Sequence, residues 1–276
     1  MARVVILSSW VSYGHVGLCA GAPVLQALGH EVTQLPTVIL SNHPGWARVA
    51  GAPVPPAQTR AVLDAIAANG WLAGHDALLV GYLPGPDHVT LACEVADRLR
   101  AANPRARIVV DPVLGDAPGG LYLPEAVAAR LRDRLLPFAD VLTPNRFELE
   151  WLSGRPVDDP GAAIAAACAL SAKGGAERVL LTSPPLGAGN TGVLDIAPAR
   201  AILYRTASCD GVPHGVGDAF SAMIAAGLSV GAALGHLDAL IRDSLGAPHL
   251  RIAAAASRWR LAAPIPGAPH PLTEEE

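Results

Sequence analysis

The chain has 276 residues, 51% hydrophobic and 16% charged, which is enough apolar material to bury the core of one larger α/β domain. Its formal net charge of -4 offers no basic face, which argues against nucleic acid as a partner. Cys19, Cys93, Cys168 and Cys209 are far apart and form no CxxC pair, so neither a zinc site nor a disulfide framework is indicated, and a reduced, cytoplasmic setting is expected.

The apolar run at residues 3–7 is short and meets Ser8 and Ser9, so it reads as a first strand rather than a signal peptide or a membrane span. A further strand is expected at 31–36, followed by a helix over 57–69. Buried strands at 77–81, 107–111 and 140–143 alternate with helices over 87–102 and 124–136. A helix over 160–173 and a strand over 178–182 continue the alternation, and 192–206 reads as a hairpin around Pro198. Alternation of this kind predicts an α/β fold in three layers, a mainly parallel central sheet with helices on both faces. No internal repeat or linker divides the chain, so one domain is expected over 1–260, with 261–276 as a loose tail rich in Pro and ending in Glu.

The most informative stretch is His214-Gly215-Val216-Gly217-Asp218-Ala219-Phe220, a GxGD turn opening an Ala-rich helical run. Two glycines permit a tight turn, and the unpaired N–H groups and dipole of the following helix make an anion site. Asp218 would repel the anion unless it takes the proton of an attacking alcohol while the N–H groups hold the developing charge. A plain helix start with Asp in its first turn is the structural alternative.

In an open parallel sheet, ligands bind beyond the carboxyl ends of the strands. There the sequence places Ser8 and Ser9, Tyr82, Asp111-Pro112-Val113-Leu114-Gly115-Asp116, Thr143-Pro144-Asn145-Arg146-Phe147-Glu148, and Thr182-Ser183. Several carboxylates on one edge would repel one another without a cation, and magnesium binds through one or two carboxylates, waters and nucleotide phosphates. Taken singly, each acidic residue is better explained by helix capping or a surface ion pair, and the case for a metal rests on their joint placement.

In order and spacing these segments, together with Ser9-Trp10-Val11-Ser12-Tyr13-Gly14-His15-Val16-Gly17 and Ser41-Asn42-His43, resemble the pyridoxal kinases of the ribokinase superfamily over roughly residues 3–260. The resemblance implies a ribokinase-like fold, ATP-dependent phosphorylation of the 5′-hydroxymethyl group of pyridoxal, pyridoxine or pyridoxamine, and a homodimer. Asp218 resembles the catalytic base, with Gly215, Val216 and Gly217 as the anion hole. Asp111, Asp116, Asn145 and Glu148 resemble the network that holds magnesium and its waters. Thr143, Thr182 and Ser183 match ATP-phosphate contacts, and Tyr122 matches a tyrosine that closes over the nucleotide, although such a residue also packs structurally. Ser9 resembles the residue that bonds the pyridoxal ring, with Val16 and Tyr82 as walls and His43 nearby, where a structural hydrogen bond is the alternative. A monovalent cation such as potassium is implied by the resemblance alone.

Three positions depart from the family pattern. Pro44 stands where a Thr is common, and Leu18 where an Asn is usual, each removing a polar group expected near the acceptor pocket. Val216 replaces a Thr without loss of the backbone N–H groups. A hydroxymethylpyrimidine kinase is the nearest alternative, favoured by His214 and opposed by Asp218, where those enzymes usually carry Cys. A non-catalytic carrier of pyridoxal phosphate would gain little from a base beside an anion site. A sugar kinase would need an early lid insertion that the chain lacks.

Overall fold

The computed structural model describes residues 1–272; the last four residues of the expected tail lie outside the described residues. Its strands are β1 (Arg3–Val11), β2 (Glu31–Leu40), β3 (Gly51–Pro53), β4 (Ala77–Val80), β5 (Arg107–Val110), β6 (Gly115–Asp116), β7 (Gly120–Leu121), β8 (Val141–Leu142), β9 (Arg178–Thr182), β10 (Asn190–Ala197), β11 (Arg200–Ala207) and β12 (Gly267–His270). The helices are α1 (Leu18–Ala27), α2 (Pro56–Ala68), α3 (Pro86–Ala102), α4 (Glu125–Arg130), α5 (Arg146–Ser153), α6 (Pro160–Ala172), α7 (Val216–Ala225), α8 (Val230–Ser244) and α9 (Ala256–Trp259).

Ten strands form one sheet in the order β12-β11-β10-β9-β8-β5-β4-β1-β2-β3, while β6 and β7 pair separately as a small hairpin. Pairing is parallel from β2 through β1, β4, β5 and β8 to β9, and antiparallel at both ends. Successive side chains point to opposite faces, so the unbroken apolar strands feed two cores at once. Val5 and Leu7 of β1 pack with α2 and α3 on one face, and Val4 and Ile6 pack with α1 and α7 on the other. The expected three layers are therefore present.

Two expected elements are corrected. The helix expected over 124–136 is regular only in α4; it widens into a π turn at Leu131–Leu135 and tightens into a 3₁₀ turn at Leu136–Phe138. Pro137, with no N–H to donate, lies in that last turn. The tail expected to be loose is instead ordered over much of its length: β12 pairs with β11, and the Ile265 N–H donates to the Gly231 carbonyl at 2.9 Å. A Cβ at Gly231 or Gly235 would run into the Ile265 or Ala263 carbonyl, so the two glycines open α8 to this segment.

Candidate active site

Helix α7 enters the site through a turn that tolerates little change. Gly215 has φ 97°, and a Cβ there would collide with the His15 carbonyl oxygen. Gly17, at φ 55° and ψ -129°, caps α1, where a Cβ would strike Ser9. The loop His15–Val16–Gly17 is thus wedged between β1 and the α7 turn, and it brings the Gly17 N–H toward the Asp218 carboxylate. Burial raises the Asp218 pKa, while the N–H groups of Gly17 and of Asp218 itself pull it back. A half-buried carboxylate held between two helix starts can remain ionised and still accept a proton.

A cavity of about 490 Å³ opens on one side of Asp218. It is lined at its polar end by Asp111, Thr143, Asn145, Glu148, Thr182, Ser183, Val216 and Gly217, with Tyr122 at its rim. Asp111 follows β5 and is buried; its Oδ2 accepts from Ser221 Oγ at 2.9 Å, and Ser221 meets Thr143 Oγ1 at 2.8 Å. Burial first, then the charges of Glu148 and Asp218, hold the Asp111 carboxyl well above the usual carboxylate range.

Glu148 is committed to its own helix start. Asn145 Oδ1 accepts from the Glu148 N–H at 2.9 Å, and Glu148 Oε2 accepts from the Asn145 N–H at 2.8 Å, a reciprocal capping box. Glu148 Oε1 accepts from the Leu114 N–H at 2.8 Å, and Asn145 Nδ2 donates to the Gly115 carbonyl at 2.8 Å. Burial pushes the Glu148 carboxyl up to about 7 against the pull of these N–H groups. Asp116 sits exposed on the β6–β7 hairpin, off the cavity wall and beside Tyr122, whose phenol is raised well above its ordinary value by burial and then by Asp116.

Among the described residues, no group of three or more His, Cys, Asp or Glu is placed to hold a metal ion. Asp111, Asp116, Asn145 and Glu148 are therefore no ready-made cage, and the amide of Asn145 is already engaged on both sides. The set fits an ion delivered with a polyphosphate and met through its waters, because Asp111 and Glu148 are buried carboxylates, Asp111 raised further by the charge of Glu148 and Glu148 by that of Asp116.

The residues expected on the acceptor side do not line this cavity. They gather across the α7 turn. Ser9 faces Gly17, the Tyr82 N–H donates to Ser8 Oγ at 3.2 Å, and Thr37 Oγ1 donates to the Tyr82 carbonyl at 2.7 Å. His43 stacks on His214 with 3.9 Å between ring centroids, which ties the loop after β2 to the turn; Val16 lies half-buried in the wedge. Leu18 is 1% exposed and belongs to the core, so the position that departs from the family pattern does not face the acceptor side.

Val113 and Ser183, both in segments singled out in the sequence, carry φ of 45° and 52°, values that side chains rarely adopt. Other cavity residues went unnoticed in the sequence. The far wall comes from 206–209, Val212 and the α8 residues Leu234, Leu237, Asp238 and Ile241, none of which carries a motif.

A mainly parallel α/β sheet with a cavity beyond the carboxyl ends of its strands, walled by a Gly-rich helix start, is the arrangement in which open α/β folds hold their ligands. The model of the phosphomethylpyrimidine kinase family matches residues 22–237. A pyridoxal kinase of Corynebacterium diphtheriae is 37% identical over 224 residues, covering 80% of this chain and 79% of that one. A pyridoxine/pyridoxal/pyridoxamine kinase of Bordetella avium is 38% identical over 237 residues, covering 84% and 79%. Among solved structures, the pyridoxal kinase of Leishmania donovani in complex with ADP and pyridoxamine superposes with a TM-score of 0.90 at 28% identity, covering 98% of this chain and all of that one. The chain belongs to the phosphomethylpyrimidine kinase family and, by its curated relatives, to the pyridoxal kinases of the ribokinase-like superfamily. It is an enzyme, a kinase.

Proposed function

We propose that the protein transfers the γ-phosphoryl group of ATP to the 5′-hydroxymethyl group of pyridoxal, pyridoxine or pyridoxamine. One observation carries this reading: Asp218, at the N-terminus of α7, lines the cavity and is met on its other side by the N–H of Gly17, the residue packed against Ser9. ATP fits the cavity with its phosphates at the polar end, toward the N–H groups of Gly215, Val216 and Gly217. Thr143, Thr182 and Ser183 supply hydroxyls beside them, and Tyr122 closes the rim.

Asp218 accepts the proton of the acceptor hydroxyl as its oxygen attacks, and the turn N–H groups hold the charge that develops on the transferred group. Magnesium bound with the nucleotide would neutralise phosphate charge there, with Asp111 and Glu148 holding its waters. Ser9 bonds the pyridine ring between Val16 and Tyr82, and His43 keeps its loop against the turn. A potassium ion near the turn and a homodimer are supported by the resemblance to the family; Ile39, Trp46 and Val49 stand exposed toward the β3 edge of the sheet.

The second reading, hydroxymethylpyrimidine phosphorylation, is favoured by His214 directly before the turn. The test is ADP release with magnesium and ATP, offering pyridoxal, pyridoxine, pyridoxamine and hydroxymethylpyrimidine in parallel. Turnover with a B6 vitamer and not with the pyrimidine is expected, and pyrimidine turnover alone would replace the first reading by the second. Asp218→Ala should lower kcat by a factor on the order of 10² to 10⁴ with little change in ATP affinity, and unchanged turnover would remove Asp218 from the chemistry.

A further inference from the structure

The nucleotide cavity has two chemically different ends. Away from the anion turn its wall is apolar, built by Leu234, Leu237 and Ile241 at helical spacing on α8 together with Val212. Asp238 is the one charged residue on that wall among the described residues. It stands on α8, whereas the polar end is built from the residues after β5, β8 and β9 and the start of α7. Its orientation is fixed from one turn further along α8, where Arg242 Nε donates to Oδ2 at 2.8 Å and Nη2 donates to Oδ1 at 3.2 Å.

A carboxylate so placed can only accept hydrogen bonds, and it repels phosphate. The apolar wall suits the flat face of a nucleobase, which leaves Asp238 to meet the base edge. On that edge a 6-amino group donates, whereas a 6-oxo group presents an acceptor to a negative charge. We propose that Asp238 selects 6-aminopurine nucleotides over 6-oxopurine nucleotides by accepting from the exocyclic amine, with Arg242 as the residue that positions it. This assignment rests on the nucleotide reading of the cavity given above.

The test measures calorimetric binding of ATP, ITP and purine riboside triphosphate, each with magnesium, to the wild type and to Asp238→Asn, Asp238→Ala and Arg242→Ala, beside turnover with pyridoxal. A hydrogen bond to a charged group corresponds to a preference for ATP over ITP on the order of 10- to 100-fold, with purine riboside triphosphate between them. In Asp238→Asn the preference should collapse toward one, because the amide can donate to a 6-oxo group. In Asp238→Ala, ATP should bind no better than purine riboside triphosphate. Arg242→Ala keeps the carboxylate, so a reduced preference should survive.

If the Asp238–Arg242 pair only braces the helix surface, Asp238→Ala and Arg242→Ala will lower melting temperature alike and leave the ATP to ITP ratio unchanged, which overturns the proposal. ITP binding the wild type as tightly as ATP overturns it too. A preference for ATP in binding without turnover of any alcohol would break the kinase reading and leave the role of Asp238 standing. Turnover with a ratio insensitive to Asp238→Asn would do the reverse, and no binding of any nucleotide would overturn both.

Discussion

Ser221 Oγ donates to Asp111 Oδ2 at 2.9 Å, joining α7 to the end of β5 one helical turn beyond Asp218. Its single proton goes to the carboxylate, so Thr143 donates to Ser221 over the 2.8 Å contact, and the three form a directed chain. Ser221→Ala removes a donor from the buried Asp111 carboxyl and leaves the Thr143 hydroxyl only its 3.5 Å bond to the Val110 carbonyl. The variant should lose about 1.5 to 3 kcal/mol in urea unfolding, as for hydrogen bonds to charged groups. The ATP KM should rise on the order of tenfold as the Asp111 carboxyl climbs further, while the pyridoxal KM stays put. An unchanged ATP KM would show that the chain is structural only.

The two glycines of the turn should fail in different ways. Gly215→Ala forces φ 97° on an L side chain and drives its methyl into the His15 carbonyl, displacing the loop that carries Gly17. The left-handed strain alone costs about 1 to 2 kcal/mol, so both melting temperature and kcat should fall. Gly217 is helical, and its added methyl would lie 3.8 Å from Asp111 Oδ2, an ordinary contact. Gly217→Ala should therefore fold at least as stably, helped by up to about 1 kcal/mol of helix propensity, yet bind ATP less well because the methyl enters the phosphate end. Equal loss of stability in both variants would contradict this division.

These distinctions come from tertiary contacts, and they mark where the sequence was silent. The parallel strands were legible because burial on both faces leaves short unbroken apolar runs, and the GVGD turn because its chemistry is local. Helix α1 was not predicted: it contains Gly21 and Pro23, residues that disfavour helix, yet Gly21 lets it approach α7, an added Cβ there lying 3.2 Å from the Ala222 Cβ. Helix α5 was not predicted although Asn145 and Glu148 stand at capping-box spacing, because the same residues were taken up as metal ligands. The apolar wall of the cavity follows from α8 folding back beside α7, and no spacing in α8 distinguishes a nucleobase from more core.

The acceptor side yields a contrast between Ser9 and Leu18. Ser9→Ala should raise the pyridoxal KM by the loss of one hydrogen bond, about 0.5 to 1.5 kcal/mol, with kcat nearly unchanged. An equal loss for non-pyridine alcohols would count against ring recognition. Leu18→Asn, which restores the usual family residue, places an amide in the core, where Leu18 is 1% exposed. It should cost on the order of 2 to 5 kcal/mol in stability, the range for emptying a leucine site, and bring no gain in acceptor affinity.

Acid should weaken the fold through its stacked histidines. His43 lies on His214 at 3.9 Å, and His15 lies on His249 at 4.8 Å with Tyr13 edge-on to the same ring. Burial lowers the pKa of His43 and His15, each then lowered further by its stacked neighbour, and His15 Nδ1 is buried without a hydrogen-bond partner among the described residues. Below 6.5 the unfolded chain takes up protons that the folded chain refuses, so the stability is whole above that pH and declines as pH falls through the depressed folded values. Asp111 and Glu148 act in the opposite sense, since their raised carboxyls favour the folded state on the acid side. The contribution of the stacks is therefore read by difference. Urea unfolding of wild type and of a His15→Asn, His43→Gln double variant between pH 7.5 and 5.5 should show the wild type losing more stability toward acid. Because the His43–His214 stack holds the acceptor-side loop to the anion turn, the wild-type pyridoxal KM should rise over the same interval before the ATP KM does. Parallel stability curves for the two proteins would mean that the rings carry no share of the acid response.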